Sequence, residues 1–217
     1  LWIHTFVSSS LFRMTQFPDR WDSIRLTDDD GQFNRITAID ESPNGDIWIT
    51  TSHSAGFIYK RGSGQLFNFR HSEQISSSVA SDNLYTLHID EEGTVWIGNY
   101  KNGISYWSNK SNTFISHKHK IKYDIQTFCE HDGYIWIGTD GEGVNRFDPK
   151  VNRFTHYPQT LKTKIVSMAT YSDTEIAMSV YADGIWLLNK NTGAVRPMPI
   201  NDEEIKYFMK YTGKSMV

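Results

Sequence analysis

The sequence predicts an all-β protein in which a short four-stranded sheet recurs along the chain. Aromatic residues make up 14% of the 217 residues, including seven Trp, and 15 Gly outnumber six Pro; this composition favours strands joined by tight turns. A tryptophan-centred motif recurs at intervals typical of repeat proteins. No segment carries the apolar stripe with a 3.6-residue period that indicates an amphipathic helix.

The repeat is clearest in three segments in which a Trp is followed by Ile. These segments are DIWITT (46–51), TVWIGN (94–99) and YIWIGT (134–139). LWIHT supplies an earlier copy at Trp2, and EIAMSV supplies a later copy in which Ala177 replaces the Trp. The pattern predicts one strand, called strand B, in each repeat.

Three further elements keep register with strand B. Strand A precedes it and carries apolar residues three positions apart: Ile36/Ile39, Leu84/Leu87, Ile125/Phe128, Ile165/Met168 and Ile205/Phe208. Strand C begins at a small residue seven or eight positions after the Trp position: Ser10, Gly56, Gly103, Gly143 and Gly184. Strand D carries an apolar residue eleven positions further on: Trp21, Phe67, Phe114, Phe154 and Val195.

Four short strands in roughly every 40 to 50 residues are typical of a β-propeller blade. A sheet with two apolar faces cannot bury both alone, whereas radial stacking buries the faces between neighbouring sheets. We therefore predict a single propeller region over residues 1–217. The approximate repeat bounds are 1–33, 34–80, 81–121, 122–161 and 162–201, with a further unit starting at 202–217. A sandwich or barrel of short strands is the competing architecture.

The number of blades stays open at this point. The chain starts in strand B at Leu1 rather than at a Met and ends after a fifth strand A. It is therefore expected to be either a fragment of a larger propeller or a five-bladed ring closed by its N- and C-terminal strands.

Strand B is expected to present two different faces. Alternation places Trp48 on one face and Ile47 and Ile49 on the other. The residue two positions after the Trp shares its face and is small in four copies: Thr50, Gly98, Gly138 and Ser179. A small residue there would let the neighbouring sheet approach closely, and His4 breaks the rule in the first copy.

Charge and cysteine content exclude several classes of protein. The formal net charge is -3, which argues against a general nucleic-acid binder. The single cysteine, Cys129, excludes an intrachain disulfide and is expected to be a small buried residue. We expect no cofactor and no resident metal.

The run of a turn, W-I-G-T, a Gly and a short apolar strand resembles the two-component regulator propeller repeat. The resemblance is clearest in DGYIWIGTDGEGVNRFDPKVNRFTHY (132–157), EEGTVWIGNYKNGISYW (91–107) and NGDIWITTSHSAGFIYK (44–60). The first copy has Ser10 for the Gly, and the fourth has lost the Trp and the G-T. The resemblance covers nearly the whole chain.

This resemblance implies a part of the periplasmic sensor region of a hybrid two-component sensor kinase of Bacteroidetes. Sensors of this kind often bind oligosaccharides. The resemblance also implies a homodimeric parent protein, with a membrane span and a histidine-kinase domain that this sequence does not contain. We expect the chain itself to recognise a ligand, not to catalyse a reaction and not to bind nucleic acid.

In propellers the B–C and D–A loops lie on one face, so these loops supply the candidate ligand-binding residues. The B–C loops contribute His53, Tyr100, Lys101, Asn102, Asp140, Glu142, Tyr181 and Asp183. Aromatic faces and hydrogen-bonding groups together suit a carbohydrate. The alternative is ordinary loop polarity. The long Ser-rich D–A loop at 70–83 is expected to be mobile, as a lid or a tolerated insertion.

The segment SHKHKIKY (116–123) is the most basic stretch of the chain. His117, Lys118, His119 and Lys120 are candidates for contact with an anionic ligand. A metal site at His117 and His119 and a charged outer strand are the competing interpretations.

Two other functions remain open from sequence. One is a protein-interaction scaffold. The other is a propeller glycoside hydrolase or lyase that uses Asp140 and Glu142, although their spacing does not set the separation of roughly 5–10 Å that such carboxylates need.

Overall fold

The computed structural model describes residues 1–4, 9–16, 20–26, 34–108, 110–118, 121 and 123–199. These residues form five antiparallel sheets, each built from strands that follow one another in sequence. One short 3-10 turn, Pro158–Thr160, interrupts the β structure. No helix in the described part of the chain is long and apolar enough to span a membrane.

The strand bounds are as follows. Sheet 1 contains β1 (Trp2–His4), β2 (Ser10–Gln16) and β3 (Arg20–Arg25). Sheet 2 contains β4 (Ile36–Glu41), β5 (Ile47–Thr51), β6 (Gly56–Lys60) and β7 (Gln65–Phe69). Sheet 3 contains β8 (Leu84–Ile89), β9 (Val95–Asn99), β10 (Ile104–Ser108) and β11 (Thr113–His117). Sheet 4 contains β12 (Ile125–His131), β13 (Tyr134–Thr139), β14 (Val144–Asp148) and β15 (Arg153–His156), and sheet 5 contains β16 (Ile165–Ser172), β17 (Glu175–Val180), β18 (Gly184–Asn189) and β19 (Val195–Pro197).

The predicted all-β architecture of repeated four-stranded sheets is confirmed. Sheet 1 has three described strands, of types B, C and D. The predicted strand A at Ile205 and Phe208, which would close a ring, lies outside the described residues. The chain divides into two compact units, residues 1–125 and 126–217.

In the first unit, the Trp faces of sheets 1 and 2 each pack against the sheet that follows. Trp2 of sheet 1 packs onto a buried cluster that includes Ile47 and Ile49 of sheet 2, and its ring lies 5.4 Å from that of Tyr59. Trp48 of sheet 2 packs in turn with residues of sheet 3, and its ring lies 6.0 Å from that of Trp107. The predicted alternation within strand B is therefore confirmed.

The second unit repeats the arrangement. Trp136 of sheet 4 is fully buried in a cluster with Ile165, Ile176 and Met178 of sheet 5. Cys129 is buried in the same cluster, as expected, and its burial raises the pKa of the thiol. Sheets of one unit thus bury their apolar faces against each other, as the repeat predicts.

Two of the four small residues after the Trp, Gly98 and Gly138, have the predicted role. A Cβ at Gly98 would lie 2.6 Å from Cβ of Ile125, and one at Gly138 would lie 2.7 Å from Cγ2 of Ile165. Ile125 and Ile165 are the first residues of β12 and β16. Only glycine leaves room for these two isoleucine side chains at this distance.

Strand C of sheet 2 begins at Gly56, as predicted, but the residue with a positive φ at the turn into the strand differs from that in the other sheets. A glycine with a positive φ stands at the turn into strand C in three sheets: Gly103 and Gly143 directly precede the strand, and Gly184 is its first residue. In sheet 2, Ala55 takes this place with φ 50°, and Gly56 is already the first strand residue. The spacing of eleven therefore identified Phe67, which is 48% exposed, whereas its neighbour Leu66 packs on the core.

The turn between β4 and β5 is held by a buried carboxylate. Asp46 is 7% exposed, and its carboxylate accepts hydrogen bonds from Lys60 Nζ at 2.7 Å, from the side chain of Asn44 and from the backbone N–H of Arg61. Burial raises the pKa of Asp46, but the bond and charge of Lys60 and the two N–H donors outweigh it. The pKa therefore lies below its usual value of 3.8.

Gly138→Ala is expected to destabilise the protein by about 1–3 kcal/mol, because the new methyl group overlaps Ile165 and Thr127. Gly62→Ala is the matched control, since nothing lies within 4 Å of its Cβ position. Urea unfolding measures both. Equal stability of the two variants would contradict close packing between the sheets.

Asp46→Asn is expected to lower the free energy of unfolding by about 1–2 kcal/mol at pH 7. The lowered pKa means that the carboxylate stabilises the fold above about pH 4 and loses this effect as the pH falls through its folded value. Urea titrations at pH 7, 5, 4 and 3 should therefore show the two proteins converging. Parallel curves would contradict the assignment, and Asp22→Asn, in an exposed ion pair, should change little.

Candidate functional site

The B–C loops of sheets 2, 3 and 4 share one construction, which begins at the last residue of strand B. The backbone N–H and the side chain of Thr51 both donate to the carbonyl of Ala55. Asn99 bonds in the same way to Gly103, at 3.0 and 3.2 Å, and Thr139 to Gly143, at 3.0 and 2.8 Å. A hydrogen-bonding side chain three positions after the Trp therefore closes the loop. These side chains are visible in the sequence, but the Trp-centred repeat alone does not predict their role.

The B–C loops lie at the same end of their sheets as the segments that enter strand A. The backbone N–H of the first loop residue donates to the carbonyl just before strand A in sheets 2, 3 and 5. These bonds are Ser52 to Arg35 at 3.0 Å, Tyr100 to Asn83 at 2.9 Å and Tyr181 to Lys164 at 2.9 Å. We call this end of each sheet its loop edge.

In the first unit, the candidate residues differ from one another in their contacts. Tyr100 is exposed, and Nζ of Lys101 lies 5.1 Å from the centre of its ring. The side chain of Asn102 is engaged within the protein, because its amide donates a hydrogen bond to the carbonyl of Ala80 at 2.8 Å. His53 is exposed, with its Nδ1 2.8 Å from Oγ of Ser52. Tyr100 and Lys101 therefore form a pair, and the structure shows no contact between them and His53.

In the second unit, the structure brings Asp140 and Tyr181 together through a lysine that sequence reasoning missed. Lys164 Nζ donates to the Asp140 carboxylate at 2.8 Å and lies 5.6 Å from the centre of the Tyr181 ring. Tyr181 is 67% exposed. The position of Lys164 directly before strand A was visible in the sequence, but its partners lie in two different sheets.

The other two candidates of this unit, Glu142 and Asp183, have different surroundings. The backbone N–H of Glu142 donates to Thr139, and its Oε2 is buried without a hydrogen-bond partner. Asp183 is exposed, and its carbonyl accepts a bond from the indole of Trp186. Of the two carboxylates considered for a hydrolase, Asp140 is thus paired to Lys164 and Glu142 is partly buried.

The basic segment is only partly described. His117 ends β11 and stacks on Tyr106, with ring centres 5.9 Å apart, and Lys118 is exposed. His119 and Lys120 lie outside the described residues. In the part of the chain that the structure describes, no group of three or more His, Cys, Asp or Glu side chains could hold a metal ion.

The long loop at 70–83, which was expected to be mobile, is held against sheets 2 and 3 by hydrogen bonds, an ion pair and buried side chains. Arg70 and Asp82 pair at its base, and Ser78 accepts from the N–H of Ser72. Val79 is fully buried between sheets 2 and 3, and the N–H of Ala80 donates to Ser105. Buried apolar side chains and bonds to sheet 3 anchor the loop, which the polar sequence did not reveal.

A shallow pocket lies away from the loop edge. It is lined by Trp2, Ile39, Asp40, Glu41 and Ile47, close to the turn between β4 and β5. Both carboxylates have partners within the protein, since Asp40 accepts a hydrogen bond from the N–H of Ile89 and Glu41 forms an ion pair with Arg61. The candidate residues therefore do not line this pocket.

Comparisons with known proteins identify the fold. No model of a known protein family matches the sequence, and no curated protein matches it. Two similar solved structures are extracellular domains from B. thetaiotaomicron. One, BT3049, is described as a hybrid two-component system, with a TM-score of 0.70 and 19% identity over 93% of this chain and 27% of that one. The other, BT4673, is described as a one-component system, with a TM-score of 0.70 and 14% identity over 94% and 26%.

A third similar structure is YCF48 bound to D1 peptide, with a TM-score of 0.65 and 12% identity over 90% of this chain and 62% of that one. The chain spans about a quarter of the length of the two bacterial domains. These likenesses establish the propeller fold class that the repeat predicts. The structural neighbours include sensor extracellular domains and other propeller proteins.

Proposed function

We propose that the chain is a ligand-sensing part of a periplasmic propeller in a two-component sensor, and that it recognises an oligosaccharide. The observation that carries the proposal is a pair of exposed tyrosines at equivalent loop positions. Tyr100 and Tyr181 each follow strand B directly, and each has a lysine ammonium beside its ring.

This arrangement suits the chemistry of a sugar. An exposed aromatic face offers the apolar contact on which the carbon face of a sugar ring can lie, and ammonium and carboxylate groups offer partners for its hydroxyls. The backbone bonds to Asn83 and Lys164 fix where each tyrosine leaves its sheet. Such fixed positions reduce the entropy that is lost on binding.

Signalling by such a part would require a partner domain. We propose that ligand binding at the loop edge favours one of two arrangements of a homodimeric parent sensor, which a histidine kinase outside this sequence then reads. The ligand can shift this equilibrium only through different affinities for the two arrangements. The chain itself would contribute recognition and no catalytic step.

A protein-interaction scaffold is the second candidate. Structural similarity to YCF48, which was solved with a peptide, favours it. The exposed tyrosines would then contact a peptide instead of a sugar, since tyrosine is enriched at protein interfaces.

Calorimetric titration of the 217-residue chain with a panel of oligosaccharides tests the proposal. Tyr181→Ala and Tyr100→Ala are each expected to weaken binding about three- to tenfold, because each removes an aromatic platform. Tyr171→Ala is the matched control, since Tyr171 is 48% exposed near the opposite end of sheet 5.

Affinity for a member of the panel that falls in the two loop variants and not in Tyr171→Ala would support the proposal. If the chain binds no oligosaccharide of the panel but binds a purified protein partner tightly, the scaffold function would replace the proposed sensing function. Equal losses in all three variants would contradict the assignment of the site.

A further inference from the structure

Tyr100 and Tyr181 have the same backbone setting, although their lysines come from different loops. Tyr100 and Tyr181 both donate their N–H, at 2.9 Å, to the carbonyl that precedes strand A of their own sheet. The ammonium of the neighbouring lysine lies at a similar distance from the ring centre, 5.1 Å for Lys101 and 5.6 Å for Lys164. The groups around the two lysines are therefore a feature that can distinguish what the two sites bind.

The charge around the two lysines differs. Lys164 forms an ion pair with Asp140 at 2.8 Å, so its charge is already neutralised within the protein. Lys101 is exposed beside Tyr100 and forms no ion pair with any described residue. An unpaired ammonium next to an aromatic face can accept an anionic group from a ligand without first breaking a contact within the protein.

The loop that carries Lys101 is held in place at three points. The N–H of Tyr100 donates to Asn83, that of Lys101 to the carboxylate of Asp124 at 3.0 Å, and the amide of Asn102 to Ala80. Asp124 is the acidic group that faces this loop, and it is engaged with the backbone of Lys101. The loop is therefore organised before a ligand arrives.

A second cation lies at the same edge of sheet 3. His117, the last residue of β11, pairs with Ile104 at the start of β10, so β11 ends beside the B–C loop. Lys118 follows it, is exposed, and forms no ion pair with any described residue. The loop edge of sheet 3 thus presents two unpaired lysines and an exposed tyrosine.

We propose that the loop edge of sheet 3 binds an acidic saccharide. The sugar ring lies on Tyr100, and an anionic substituent, a carboxylate or a sulfate, pairs with Lys101 and gains further attraction from Lys118. The site at Tyr181, with its lysine neutralised by Asp140, does not select for charge. This inference rests on the proposed function and adds to it the charge of the ligand.

The test compares three probes that differ in charge: a galacturonic acid tetrasaccharide, its carboxyl-reduced form and a sulfated galactose tetrasaccharide. Calorimetric titration at low salt measures their affinities for the full chain and for Lys101→Gln. An exposed charge pair of this kind is worth about a three- to fivefold change in affinity. Lys110→Gln is the control, because Lys110 is exposed in the turn at the opposite end of the same sheet.

The proposal expects at least one acidic probe to bind more tightly than the reduced form. Lys101→Gln should remove this preference, added salt should weaken it, and Lys110→Gln should leave it unchanged. The probe that loses more affinity in Lys101→Gln identifies the carboxylate or the sulfate as the preferred group.

Equal affinity for the acidic and reduced probes, or an equal loss in Lys110→Gln, overturns the proposal but leaves oligosaccharide recognition intact. Binding that depends on Tyr181 and not on Tyr100 also overturns the proposal and leaves oligosaccharide recognition intact. Failure of all three probes and of the wider panel overturns both the charge preference and the proposed function.

Discussion

The whole structure depends on the contact between the Trp face of one sheet and the apolar face of the next. Strand B supplies a large aromatic side chain at one position and a small residue two positions later, as in Trp136 and Gly138. The aromatic fills the space between sheets, and the glycine lets the following strand A approach until Cβ atoms would overlap. A four-stranded sheet is stable here because its neighbour covers it.

This packing also determines where the protein can recognise something. Since each strand B runs in the same direction relative to its sheet, the residues that follow it always emerge at the loop edge. Hydrogen bonds such as that from Tyr100 to Asn83 then fix the first loop residue, while its side chain is free to vary. The repeat provides a constant platform, and differences between repeats at that one position provide the binding chemistry.

The sequence predicts those features that depend on periodicity and not those that depend on contacts between repeats. The alternation of Trp48 with Ile47 and Ile49 followed from the period of a strand alone. The turn residue before strand C of sheet 2 was not predicted, because residue size cannot show that Ala55 adopts the positive φ there. The contact of Lys164 with Asp140 was missed because its two residues belong to different sheets.

A double-mutant cycle across two sheets tests the central claim most directly. Trp48→Ala and Trp107→Ala remove rings whose centres lie 6.0 Å apart in neighbouring sheets. We expect Trp48→Ala to cost about 3–5 kcal/mol and the pair to show a coupling energy of about 0.5–1.5 kcal/mol in urea unfolding. Trp48→Ala combined with Trp21→Ala, which lies outside that cluster, should be additive. Additive behaviour of Trp48 with Trp107 would contradict the claim that these sheets stabilise each other.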